Sequence, residues 1–158
     1  MTVDYTELVQ DLLIDGQRRE PRSGRYFDTV NPATETAITR VAEADAGDID
    51  AAVRSARAAF EGSWGRMRAA DRGTALLRLA DLIHRNREEL AALESLDSGK
   101  PISAVNRQDL PAVIDTLRYY AGWADKIIGQ VIPARPDALR FSVRERLGGV
   151  GDCEPVNF

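Results

Sequence analysis

The chain has 158 residues, 44% of them hydrophobic and 29% charged, with a formal net charge of -4. That is room for about one domain with a moderate core, in ordinary globular usage with no sign of disorder and no electrostatic reason to bind nucleic acid or anionic lipid. The single cysteine rules out an internal disulfide, and "MTVDYTELVQ" has neither the positive n-region nor the apolar h-region of an export signal. No apolar run approaches a membrane span, so the reading is a cytoplasmic protein with no membrane and no nucleic-acid partner.

In chain order, Leu12 to Ala42 is read as extended. "LLIDGQRRE" turns at Gly16, and "RYFDTVNP" followed by "TETAITRVAEA" brackets the turn dipeptide Asn31-Pro32, so two hairpins are expected. In "DAGDIDAAVRSARAAFEG" the period becomes helical. Ile49, Ala52, Val53, Ala56 and Phe60 form one apolar stripe, predicted to be buried, with Asp45 and Asp48 as a capping pair and Gly62 as the stop. A second helix is expected from about Asp71, its face drawn from Leu76, Leu79, Ala80 and Ile83. Asn86 and Glu89 then have capping-box spacing for "REELAALESLD", which Gly99 and Pro101 end. A further helix is expected to start near Asp109 with Pro111 in its first turn, to carry the stripe Val113, Leu117, Ala121, Ala124 and Ile128, and to exit at Gly129. Beyond "IPARPDA" the period falls to two, with Leu139, Phe141 and Val143 alternating with Arg140, Ser142 and Arg144, which predicts a strand with one wet face.

Local motifs supply little chemistry. "GGVG" at Gly148 to Gly151 is not a dinucleotide fingerprint: the third glycine's place holds Glu154 and no helix follows. His84, the only histidine, lies on a helix with no second His or Cys at ligand spacing, so no metal site is expected. Cys153 lies between Asp152 and Glu154, where neighbouring negative charge disfavours a thiolate, and it is read as an inert thiol rather than a nucleophile.

A resemblance goes further. "IDGQ", "SGRYFDTVNPATE", "VAEADAGDIDAAVRSARAAFEG", "RLADLIHRNREELAALESLDSGKP", "RYYAGWADKIIGQ" and "RERLGGVG" follow one another in the order and spacing of the N-terminal part of the aldehyde dehydrogenase superfamily, with similarity to the betaine-aldehyde and semialdehyde dehydrogenase type. The chain resembles that family over roughly Leu12 to Phe158. The resemblance implies an α/β fold, incomplete here: N-terminal β-hairpins and helices over 1–138, an oligomerisation-arm strand over 139–147, and over 148–158 the first strand segment toward a cofactor-binding sheet. It also implies oxidation of an aldehyde to a carboxylate with NAD or NADP, through a cysteine nucleophile and a glutamate base. In the family's P-W-N-F motif an asparagine amide helps hold the oxyanion. Here the motif reads Pro155, Val156, Asn157, Phe158, so Asn157 matches the oxyanion position, while Pro155 and Val156 match positions lining the cofactor cleft.

The family nucleophile and base fall outside these residues, and Cys153 occupies a strand position. The chain is therefore expected to be a truncated remnant, inactive alone and a doubtful binder of NAD or NADP alone. It is expected to form a homo-oligomer or to associate with an intact aldehyde dehydrogenase subunit. The alternatives are a non-enzymatic helical binding module and one half of a split enzyme.

Overall fold

The computed structural model describes residues 10–153. Strands β1 (Leu12–Ile14) and β2 (Gln17–Arg19) form an antiparallel hairpin whose two-residue turn, Asp15-Gly16, has φ of 58° and 70° at both positions. Two residues at positive φ give a turn whose twist matches the strands it joins, and Asp and Gly tolerate that region best. Strands β3 (Tyr26–Asn31) and β4 (Thr36–Ala42) form a second antiparallel hairpin. At its turn the Asn31 carboxamide oxygen accepts from the Ala33 amide at 2.8 Å. The register slips between Thr29 and Val30, so Ile38 is an extra residue on β4, and it is buried. A parallel bridge from Gln10 to Val41 joins the chain before β1 to this hairpin.

Helix α1 (Ala46–Glu61) is capped as the sequence predicts. Asp45 accepts from the Asp48 amide at 3.0 Å, Asp48 returns the bond to the Asp45 amide at 3.1 Å, and Gly62 ends the helix. Asp48 is 4% exposed, and its carboxylate also accepts from the Arg22 amide at 3.3 and 3.2 Å, tying the turn after β2 to the start of α1. A buried carboxylate is tolerable there because it sits on backbone donors at the positive end of a helix. Asp48→Ala leaves those donors without an acceptor and is expected to cost about 1–3 kcal/mol, read as a lower midpoint in urea unfolding. An unchanged midpoint would show that water replaces the carboxylate.

The stripe on α1 corrects the sequence reading. Ile49 and Val53 are 57% and 60% exposed and Ala56 is exposed as well, because among the described residues that face meets only short or peripheral segments. After the short helix α2 (Ser63–Arg66), helix α3 (Ala69–Arg85) packs along helix α6 (Leu110–Trp123), the most extensive helix contact among the described residues. Gly73 near the start of α3 faces Ala121 near the end of α6, and Asp81, further along α3, meets Arg118, earlier on α6, at 3.3 Å, so the two run antiparallel. The α3 face is Gly73, Leu76, Ala80 and Ile83, with Leu79 largely exposed. On α6 the buried positions are Ile114 and Ala121 with Leu117 between them, displacing the predicted stripe away from Val113 and Ile128.

Helix α4 (Arg87–Ser98) starts without the predicted capping box. Asn86 instead closes α3, donating to the Leu82 carbonyl from its amide at 3.1 Å and its side chain at 2.8 Å. Gly99 ends α4 in the left-handed region at φ 75°, as its position predicts. The next helix does not begin at Asp109. Helix α5 (Ile102–Ala104) runs through a π turn (Val105–Asp109) into α6 as one continuous rod. The Leu110 amide reaches back to the Val105 carbonyl, and this wider turn lies immediately before Pro111, whose ring would crowd the preceding turn of an ordinary helix.

The rod ends at Trp123, short of Gly129. The alternating segment yields only β6 (Arg140–Phe141), paired antiparallel with β5 (Val131–Ile132). Both faces of this ribbon are exposed, Leu139, Phe141 and Val143 included, so the expected single wet face is not formed among the described residues. A two-stranded ribbon with no layer against it has nothing to bury one side.

Candidate functional site: the C-terminal segment and an apolar cleft

Asn157, Pro155 and Val156 lie outside the described residues, as does Glu154. The segment leading to them runs past α1 and α2. The Arg146 guanidinium donates to the Gly65 carbonyl at 2.5 Å and lies 5.5 Å from the centre of the Phe60 ring, which Arg57 also approaches at 5.7 Å. Gly148 has φ of 136°, and a Cβ there would sit 3.3 Å from the Arg57 guanidinium; Gly149 lies against Ala56. Glycine is thus required where this segment crosses α1.

Cys153 is a free, exposed thiol, and His84 is exposed in the last turn of α3. Among the described residues no base is placed on Cys153, and none assembles with His84 into an acid–base pair. The described residues do not form a dinucleotide site either. Residues 142–153 carry no helix, so Gly148 to Gly151 present no helix N-terminus to a pyrophosphate.

A cleft of 720 Å³ lies between the second hairpin and the helices. Phe27, Thr29, Ile38, Thr39 and Val41 of the hairpin form one wall, and Leu90, Leu93, Glu94 and Asp97 of α4 form the other. Gln10, Ile83, Val105, Asp109, Leu110 and Val113 complete the lining. Its walls are mostly apolar, and Phe27 is left 52% exposed, an unusual state for a phenylalanine on the inner side of a hairpin. The Thr29 hydroxyl donates to Asp97 at 2.6 Å, joining hairpin to helix across the opening. The Lys100 ammonium reaches both carboxylate oxygens of Asp109, at 2.7 and 2.8 Å. Sequence reading missed this cleft. Its one local signal is the pair Glu94 and Asp97, three residues apart on one helix face, but the opposite wall comes from residues almost seventy positions earlier.

The model of the aldehyde dehydrogenase family matches residues 19–158, which is most of the chain. The chain belongs to the aldehyde dehydrogenase family. It is 49% identical to retinal dehydrogenase 2 of Gallus gallus over 149 residues, covering 93% of this chain and 29% of that protein. It is 48% identical to the mitochondrial aldehyde dehydrogenase of Equus caballus, with 93% and 30% covered. Among solved structures, the NAD+ complex of an aldehyde dehydrogenase from Bacillus cereus superposes with a TM-score of 0.84 at 46% identity, covering 87% of this chain and 28% of that one. The chain therefore spans somewhat under a third of the length of these relatives and matches their N-terminal part. The implied α/β fold of the family's N-terminal part is the fold observed: a mixed arrangement of hairpins and helices. Among the described residues no helix is long and apolar enough to cross a membrane.

Proposed function

We propose that this chain forms the N-terminal third of an NAD- or NADP-dependent enzyme that oxidises aldehydes to carboxylates. One observation carries the reading: the family match spans residues 19–158 and so takes in Pro155 to Phe158. In this role the hairpins and helices are a scaffold, Asn157 donates its carboxamide N–H to the oxyanion formed as a nucleophile adds to the aldehyde, and Pro155 and Val156 line the cofactor cleft. The described residues form no dinucleotide site by themselves, since no helix N-terminus follows Gly148 to Gly151 among them.

By themselves these 158 residues contain one thiol, Cys153, which is exposed and has no base placed on it among the described residues. An oxyanion donor lowers a barrier only after a nucleophile has attacked. Purified chain given NAD or NADP and a panel of aldehydes is therefore expected to form no reduced nicotinamide above background, followed by its absorbance. Turnover that disappears in Cys153→Ala would overturn the reading.

A specific observation favours association over a self-sufficient module. Ile128, Val131, Leu139, Phe141 and Val143 are all more than half exposed on or beside the β5–β6 ribbon, and large exposed apolar groups of this kind mark contact surfaces. Their proposed partner is a second copy of the chain or an intact aldehyde dehydrogenase subunit.

A further inference from the structure

Residues 146–149 are fastened to the end of α1 and to α2 by contacts that the oxyanion reading does not use. The Arg146 guanidinium donates to the Gly65 carbonyl at 2.5 Å and lies 5.5 Å from the centre of the Phe60 ring, and the Arg57 guanidinium lies 5.7 Å from the same centre. One ring serves both cations. A Cβ at Gly65 would sit 1.7 Å from the Phe60 carbonyl oxygen, so α2 lies tight on the Phe60 backbone and the acceptor of Arg146 keeps a fixed place beside the ring. On the segment's own side, a Cβ at Gly148 would sit 3.3 Å from the Arg57 guanidinium, and one at Gly149 would sit 3.3 Å from the Ala56 Cβ. Neither Arg57 nor Arg146 makes an ion pair among the described residues, so no carboxylate draws them off the ring.

Little else holds this stretch. Among the described residues, 143–153 form no helix or strand and make no backbone–backbone hydrogen bond, so their path is set by side chains and by the close fit of Gly148 and Gly149. A guanidinium over an aromatic face is a weak contact by itself, but a ring that takes two of them holds each in relation to the other. Phe60 is half-buried in the last turn of α1, so its ring stands on helical backbone rather than on a loop. Asn157 follows Gly149 by eight residues. Whatever fixes the path at Gly149 fixes where the chain toward Asn157 begins.

We propose that Phe60 is a positioning residue for the oxyanion donor: its ring, with Arg57 and Arg146 against it, sets the course of residues 146–149 and through them the placing of the Asn157 carboxamide. The proposal rests on the oxyanion reading of Asn157, and its test separates the two.

The test is a double-mutant cycle on kcat in a chimera of the full chain, joined after Phe158 to the remainder of an active relative. Phe60→Leu, which keeps apolar bulk and removes the π face, should lower kcat about tenfold with KM unchanged, since a misplaced group loses its effect on the reacting atoms before it loses substrate. Phe60→Tyr keeps the face and should hold kcat within about twofold of the parent. In the Asn157→Ala background Phe60→Leu should cost no more than about twofold further, because residues that act through one group are not additive. If Phe60→Leu does not fold, Arg146→Met at its exposed position carries the same cycle. A kcat untouched by Phe60→Leu, an equal loss in Phe60→Tyr, or a tenfold loss that persists without Asn157 would overturn the proposal while leaving the oxyanion reading in place. No effect of Asn157→Ala by itself would overturn that reading and the proposal with it.

Discussion

Asn157→Ala is expected to lower turnover by roughly 10² to 10³ when this chain is joined after Phe158 to the remainder of an active relative, the scale of losing one oxyanion donor. The chimera is needed because the donor acts on charge that exists only after a nucleophile has added, and the described residues place no such group. The effect belongs in kcat rather than KM, since the hydrogen bond is made to the oxyanion and strengthens as negative charge develops on it. Steady-state kinetics of the chimera with and without Asn157→Ala read both constants. A kcat within threefold of the parent would remove Asn157 from the oxyanion position and leave the family resemblance of "PVNF" without its chemical meaning.

Gly73→Val should be among the most damaging single substitutions in the described fold, while Gly122→Ala on the partner helix should stabilise. At Gly73 a Cβ would sit 2.7 Å from the Ala121 carbonyl oxygen and 3.4 Å from the Ala124 Cβ, so a side chain must push α3 and α6 apart. Overpacking of this kind costs about 1–3 kcal/mol, and backbone cannot yield as a flexible side chain would. At Gly122, in the last turn of α6, nothing lies within 4 Å of the added atom, and alanine there gains up to about 0.5 kcal/mol, less than the value for a helix interior. Thermal unfolding should move the two midpoints in opposite directions. If both variants melt together, the close approach of α3 and α6 is not what holds the pair.

Several features were legible in the sequence because they depend on neighbours a few positions apart. The Asp15-Gly16 turn, the reciprocal bonds of Asp45 and Asp48, and the left-handed stop at Gly99 each follow from residues within one turn of chain. The ordered run of motifs from "IDGQ" to "RERLGGVG" carried the family in the same way, as a linear pattern needing no three-dimensional knowledge.

Tertiary structure decided the rest. Periodicity marks an apolar stripe but not what covers it, so Ile49 and Val53 stand exposed, while Ala80 is buried as its stripe predicted and Gly73, which periodicity passes over, marks where two helices approach. Pro111 read as a helix start, yet a preceding π turn carries the helix through it, an adjustment of hydrogen-bond register that composition does not announce. The cleft is the extreme case. Thr29 and Asp97 meet only because the hairpin folds onto α4, and the cleft exists only once residues distant in sequence share one surface. Sequence alone determined the local turns, caps and lineage; the fold decided which faces are buried and which charges are brought together, because burial and electrostatics depend on distance in space.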